Sequence, residues 1–173
     1  MKHLPANTIH TQTYSSPCGE LILGSLGNQL CLCDWANETR RTKIDKRLAS
    51  KLQARFEPTP SEATQAAITQ LDEYFNGKRQ SFDIPLLLAG TPFQKLIWHH
   101  LLSIPYGTTI SYAQLAQQTG NPKAIRAVAN ANNANALSIF IPCHRVIGSN
   151  HSLTGYAGGL SAKRLLLELE TSP

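Results

Sequence analysis

Cys143 and His144 stand side by side in Ile141-Pro142-Cys143-His144-Arg145, at the end of a short apolar run from Leu137 to Pro142. The thiolate is the reactive form of cysteine, and a neighbouring imidazole can take the thiol proton or steady the anion. A cysteine in an apolar run is ordinarily a packing residue. Here Pro142 and the polar pair His144-Arg145 interrupt the run at the thiol. Adjacent side chains point apart, so His144 reaches sulfur more readily through a water than directly, and the imidazole then needs a carboxylate to orient it. Residues 84–167 contain no Asp or Glu, which leaves Glu168 and Glu170 as the candidates in this half of the chain. The chemistry on offer is nucleophilic capture of an electrophile by sulfur.

The elements that must position this segment flank it. Ser111-Tyr112-Ala113-Gln114 fits a capping box, opening a helix that runs through Leu115 and Ala116 to Gly120. Asn121-Pro122 is read as N-cap and first turn of a second helix. Its apolar face is Ile125, Val128 and Ala129, and its other face carries Lys123, Arg126, Asn130 and Asn133. Two short helices joined by a tight Gly-containing turn read as helix-turn-helix or as a structural αα-hairpin. The lack of carboxylates favours an anionic partner, DNA. Upstream, Thr91-Pro92 opens a helix with the stripe Phe93, Leu96, Ile97, His100 and Leu101. Downstream, Gly155-Tyr156-Ala157-Gly158-Gly159 makes a flexible wall. Ser161 then caps a last helix that turns Leu165, Leu166 and Leu169 inward.

The first half reads differently. Glu20 to Gly24 and Gln29 to Trp35 are strands around a Gly27-Asn28 hairpin turn, after a turn at Ser16-Pro17-Cys18-Gly19. Asn37 to Arg47 reads as a polar loop or exposed face, whose Arg40-Arg41-Thr42-Lys43, beside the acidic Glu38 and Asp45, fits a solvated face better than a nucleic-acid contact. Glu62 to Phe75 has helical spacing and ends at Asn76-Gly77. Ser81 to Leu88 is a connector, beyond which acidic residues vanish, so the expected domains are 1–88 and 89–173 of an α+β chain. Ten Lys/Arg nearly balance nine Asp/Glu over residues 1–83, whereas residues 84–167 hold six basic residues and no acid. Cys31 and Cys33 share one face of a strand, roughly 6.6–6.8 Å apart along the same edge. They are expected to be small buried hydrophobes, with a metal or redox pair as the second reading. Cys18, Cys31, Cys33 and Cys143 lack metal-ligand spacing with His, and no metal or cofactor is expected. No apolar run is long enough to span a bilayer, and Met1 to Asn7 lacks a signal-peptide core, so a cytoplasmic protein without membrane contact is expected.

Pro142-Cys143-His144-Arg145-Val146-Ile147 resembles the active-site signature of the O6-alkylguanine-DNA alkyltransferases, the methylated-DNA–protein-cysteine methyltransferases. Ser111-Tyr112, Leu115-Ala116, Arg126-Ala127-Val128, Asn135 and Gly155-Tyr156-Ala157-Gly158-Gly159-Leu160 fall in that family's order and spacing. The likeness is specific over residues 91–170 and looser over 13–88. It implies a small N-terminal α/β domain with an antiparallel, RNase H-like sheet and a mainly helical, winged-helix-like C-terminal domain. It implies that Cys143 accepts an alkyl group from O6 of guanine, and also from O4 of thymine. His144, through water, and Glu170 generate the thiolate, and Tyr112 donates to guanine N3. The carbonyls of Cys143 and Val146 and the amide of Ala157, with Tyr156 beside it, surround the base, and Asn135 joins the helix pair to the Cys segment. Arg126 holds the place of the flipped base, with Lys123, Ala127 and Asn130 on the same DNA-facing surface. The partner is then double-stranded DNA entered through the minor groove, where base reading is degenerate, by a monomer. The thioether product has no group here to cleave it, so the protein is a single-turnover reagent.

Some relatives hold zinc in the N-terminal domain, and the matching positions here lack the ligands. Ala136 and Ser138 stand where relatives have Pro, and Ala157 where some have Ser. Non-repairing lesion binders related to the family carry Trp at the cysteine position, and Cys143 argues against that role. A helix-turn-helix regulator without catalysis would tolerate Cys143→Ala. A cysteine hydrolase would need a direct Cys–His contact, which adjacency makes awkward.

Overall fold

The structure is a computed structural model that describes residues 7–172. The reading of the first six residues as lacking a leader core lies outside them. The chain divides into two compact units, one ending at Gly90 and the other beginning at Thr91.

The first unit is built on a four-stranded sheet ordered β3-β2-β1-β4. Strands β1 (Asn7–Ser16), β2 (Gly19–Leu26) and β3 (Gln29–Trp35) form an antiparallel meander. Strand β4 (Ala54–Glu57) pairs parallel to β1, so the sheet is mixed rather than purely antiparallel. Helix α2 (Glu62–Phe75) opens with the Ser61–Thr64 capping box and covers the sheet with Ala67, Leu71 and Tyr74. Two readings need correction. Residues 37–47 are not a loop: Asn37 caps helix α1 (Glu38–Leu52), whose inward face is Ile44 and Leu48 at helical spacing. Nor is Arg40-Arg41 a freely solvated pair, because both guanidiniums donate to the fully buried carboxylate of Asp34. A lone buried carboxylate would be very unfavourable, so two arginines are drawn out of water to it. Both Cys31 and Cys33 are buried, and no disulfide joins them. Burial pushes the Cys31 thiol up to about 12.

The second unit is mainly helical. Helix α3 (Pro92–Leu102) starts at the Thr91–Gln94 capping box. Its buried face is Ile97, Trp98 and Leu101, while Phe93 and Leu96 of the expected stripe are exposed. Helix α4 (Tyr112–Gln118) is capped by Ser111 and Gln114 as expected. Helix α5 (Ile125–Asn133) begins later than Asn121-Pro122 suggested. Asn121 instead makes a side-chain-capped turn, its Oδ1 accepting from Lys123 N and its carbonyl from Ala124 N, so Lys123 lies in the turn. Ile125 is accordingly exposed, and the inward residues are Val128, Ala131 and Asn132. Two-residue strands β5 (Ile110–Ser111) and β6 (Val146–Ile147) pair in parallel. Helix α6 (Leu160–Thr171) starts from Gly159, leaving Ser161 inside the helix rather than at its cap. Its most buried residues are Ala162, Lys163, Leu166 and Glu170, with Leu165 and Leu169 only half-buried. No helix among the described residues is long and apolar enough to cross a membrane.

Candidate active site

Cys143 begins a single 3₁₀ turn, Cys143–Arg145, entered from Pro142. The loop before it is held at both ends by one side chain. Asn135 Nδ2 donates to the Ile141 carbonyl at 2.9 Å and its Oδ1 accepts from Leu137 N at 2.9 Å. The loop closes on itself through Ile141 N to the Leu137 carbonyl, 2.8 Å, with Ile139 at φ +74°. That conformation is strained for a β-branched residue and persists because its surroundings impose it. Cys143 is thus a 3% exposed thiol on a tightly held segment.

Behind it lies a buried polar chain. His144 is fully buried, and its Nε2 meets Glu170 Oε2 at 2.7 Å. Glu170 is also held by Arg145, Nε to Oε1 at 2.8 Å and Nη2 to Oε2 at 3.0 Å, while Arg145 Nη1 donates to the Ile104 carbonyl at 2.7 Å. A carboxylate gripped this way only accepts, which assigns the imidazole proton to Nε2 and leaves Nδ1 as a lone pair. Nδ1 has no hydrogen-bond partner among the described residues. Burial drives the His144 pKa down, against the opposing pull of Glu170. His144 is therefore a neutral base. Of the two candidate carboxylates Glu170 is the buried one and Glu168 is exposed. Gly107, at φ +78°, lets the chain pass Glu170: a Cβ there would lie 3.0 Å from its carbonyl oxygen, and the Gly107 amide donates to Oε1 at 3.3 Å.

This state of His144 has a pH consequence. Its folded pKa is lowered, so below the unfolded value of about 6.5 the unfolded chain binds a proton that the native state does not. The contribution is lost as pH falls through that value. Urea unfolding followed at Trp98, which is buried and hydrogen-bonded to Ala131, should show stability of this unit declining below about pH 6.5. His144→Asn should flatten the slope; an identical slope in the variant would assign it elsewhere.

Tyr112, the first residue of α4, donates to the carbonyls of Thr154 and Gly155 at 3.3 and 3.5 Å. Burial and the nearby Cys143 sulfur push its hydroxyl up to about 12. Lys163 is the residue that sequence reasoning missed. It is buried, it donates to the Val146, Thr154 and Gly155 carbonyls at 2.6, 3.0 and 3.5 Å, and its ammonium lies 5.8 Å from the Tyr112 ring centroid. Burial lowers its pKa to about 8, while Cys143 pulls it up. The available signal was a lysine one turn before Leu166 and Leu167, on the face the apolar residues claim.

Tyr112, Asn135, Cys143, His144, Val146 and Glu170 are all buried in the second unit. Tyr156 and Ala157 are half-buried in the Gly-rich loop, while Lys123, Arg126, Ala127 and Asn130 are exposed on or just before α5. Arg145 and Lys163, two of the six basic residues of this acid-free stretch, are internal: Arg145 pairs with Glu170 and Lys163 bonds backbone carbonyls. The outward basic residues of this unit are Lys95, Lys123, Arg126 and Arg164. Among the described residues no group of three or more His, Cys, Asp and Glu could hold a metal.

The second unit thus holds a buried thiol followed directly by a carboxylate-oriented imidazole, together with a helix pair that has an exposed basic face. The comparisons with known proteins agree. Residues 92–172 match the DNA-binding domain of 6-O-methylguanine DNA methyltransferase, and residues 9–88 match the ribonuclease-like domain of the same family. The methylated-DNA–protein-cysteine methyltransferase of Mycobacterium tuberculosis H37Rv is 44% identical over 167 residues, 95% of this chain and 93% of its own length. The constitutive enzyme of Bacillus subtilis is 42% identical over 164 residues, 91% and 93% of the two chains. The crystal structure of M. tuberculosis OGT in complex with DNA superposes with a TM-score of 0.79 at 42% identity, covering 94% of this chain and 92% of that one. The chain belongs to the 6-O-methylguanine DNA methyltransferase family. Its function is direct repair of alkylated DNA, by transfer of the alkyl group to a cysteine of the protein itself.

Proposed function

We propose that Cys143 is the acceptor and that the protein is consumed by one transfer. The observation that carries this is the buried chain His144-Glu170-Arg145 directly after Cys143, which leaves His144 Nδ1 as a lone pair one residue from the buried thiol. A water relays the thiol proton to Nδ1. Sulfur then attacks the alkyl carbon in line with O6. The S–C bond forms as the C–O6 bond breaks, and the electron pair passes into the purine. Tyr112 gives N3 a proton so that guanine leaves neutral, and solvent restores the phenol. The carbonyls of Cys143 and Val146 take the guanine amino group, and the amide of Ala157, beside Tyr156, faces O6. The same sulfur accepts from O4-alkylthymine. Nothing in the reaction calls for a metal or cofactor, and stoichiometric zinc in the purified protein would overturn that part of the reading.

The protein acts as a cytoplasmic monomer on duplex DNA, through the minor groove, with the damaged base flipped out. Arg126, Ala127 and Asn130 on the exposed face of α5, with Lys123 in the turn before it, support this contact. Replacing Cys143 with serine should abolish loss of methyl from DNA while duplex binding persists. Serine at Cys18, Cys31 or Cys33 should leave repair intact. Repair by Cys143→Ser would move the acceptor elsewhere.

Arg126 separates DNA handling from chemistry. Flipping a base costs a few kcal/mol, and a planar cation in the gap recovers part of it by stacking and hydrogen bonding. Arg126→Ala should lose about 1–3 kcal/mol of repair on methylated duplex. Reaction with free O6-alkylguanine, which needs no flipping, should be unchanged. Quenched kinetics on both substrates decide it, and an equal loss on both would make Arg126 a structural residue of the helix pair.

A further inference from the structure

A cavity of about 270 Å³ in the second unit takes no part in the chemistry above. Its lining includes Thr109, Ser111, Gln114, Ile147, Ser149 and His151. Strands β5 and β6 tie it to the site: Ser111 pairs with Ile147, Tyr112 follows Ser111, and Val146 precedes Ile147. Hydrogen-bond accounting gives the cavity a sign. The capping box spends Ser111 Oγ and Gln114 Oε1 as acceptors, from Gln114 N at 3.0 Å and Ser111 N at 2.8 Å. That leaves the Ser111 hydroxyl hydrogen and the Gln114 amide hydrogens as donors. The side chains of Thr109, Ser149 and His151 enter no hydrogen bond among the described residues, and they add two hydroxyls and a ring N–H. No carboxylate lines the cavity. The loop that carries Ser149 and His151 is pinned on itself. Gly148 N donates to the Ser152 carbonyl at 2.9 Å, and Asn150 Oδ1 accepts from Ser152 N and Oγ at 3.2 and 2.6 Å. His151 sits at φ +63°, a left-handed conformation that glycine takes at lower cost, so the imidazole is kept against a backbone penalty.

We infer that this cavity seats a phosphodiester of the DNA strand that carries the damaged base, with Ser149 and His151 as DNA-binding residues beyond those on α5. The inference rests on duplex DNA as the substrate and on Tyr112 and Val146 as residues of the base pocket. Converging donors without an acid among them suit a negative charge. Hydroxyl and amide side chains are common phosphate ligands in DNA complexes, and such contacts fix register without reading sequence. That suits a protein that must act at a lesion in any sequence. No Lys or Arg lines the cavity, so a free anion gains little there against its own hydration. A phosphodiester of a duplex already held by the helix pair arrives at high effective concentration instead. Because Tyr112 and Val146 are the chain neighbours of Ser111 and Ile147, a phosphate held in the cavity sets the strand against the pocket that receives the base.

His151→Gly removes the ring and suits the backbone, and Ser149→Ala removes a hydroxyl from an exposed position. The double variant should repair limiting methylated duplex roughly 10–100-fold more slowly in a single turnover, the worth of hydrogen bonds to a charged group. Reaction with free O6-alkylguanine should keep the wild-type rate. Methylphosphonates, which remove one phosphate charge at a time, locate the contact. At one phosphate near the lesion the substitution should slow wild type by a similar factor and slow the double variant no further, because the partners act as a pair. Thr109→Val, which leaves the loop untouched, should couple to the same phosphate. Independent losses at every phosphate, or equal slowing toward free alkylguanine, would overturn the proposal. Inorganic phosphate bound by wild type and not by the double variant, with no coupling on DNA, would make this a free-anion site and overturn the DNA assignment. Arg126→Ala in the same assay separates the layers: if it and the double variant both repair duplex at the wild-type rate, the DNA face proposed above falls as well.

Discussion

Arg145→Met should destabilise the second unit by about 3–5 kcal/mol, the cost of leaving one partner of a buried ion pair uncompensated. Arg145 spans Glu170 with two hydrogen bonds and the Ile104 carbonyl with a third, and both side chains are almost wholly buried. Without the guanidinium, Glu170 still meets the His144 ring and the Gly107 amide but loses the cation that grips both its oxygens. Lysine cannot reproduce the two-pronged contact, so Arg145→Lys should fall between wild type and methionine. Adding Glu170→Gln to Arg145→Met should restore part of the loss, because no buried charge then lacks its partner. Urea midpoints of the four proteins measure this. A loss below about 1 kcal/mol would place the pair in the class of solvent-screened surface bridges.

The same carboxylate should govern the rate. Glu170→Gln replaces an acceptor-only group with an amide, so the ring proton is no longer held on Nε2 and Nδ1 is no longer reliably the base. Transfer should slow by about 10²–10⁴-fold, the range over which positioned acid–base groups contribute. Glu170 pulls the His144 pKa up against burial, so its loss should move the acid limb of the pH–rate profile to lower pH. Glu168→Gln, on the exposed side of α6, should be neutral. A Glu170→Gln protein with an unchanged rate and profile would leave His144 without its proposed role.

What the sequence made legible was local. Thr91-Pro92 and Ser111 with Gln114 announce helix starts because a cap needs only residues three apart. Helix α1 was hidden because its visible residues are charged, although Ile44 and Leu48 carry the helical spacing. Helix α5 starts later than its sequence suggests because Asn121-Pro122 has the composition of a helix cap but closes a turn. Strand β4 pairs with β1 from 47 positions away, a match no local pattern reveals. The cysteine, the histidine and both candidate carboxylates could be read from residue type, but the arrangement behind them could not. Arg145 and Lys163 looked like surface charge because their partners, Glu170 and the Val146 carbonyl, lie 25 and 17 residues away in sequence. Asn132 has the look of any polar helix residue, yet it is buried with its amide on the Cys143 carbonyl.

The central claim is that Cys143 takes one alkyl group and keeps it. Purified protein mixed with excess duplex carrying O6-methylguanine, then weighed intact and mapped by peptide mass, tests this directly. The account predicts the mass of a single added methyl on every active chain, located on Cys143, with repaired guanine equal in amount to protein. Methyl found on Cys18, Cys31 or Cys33, or repair continuing well beyond one lesion per chain, would contradict it.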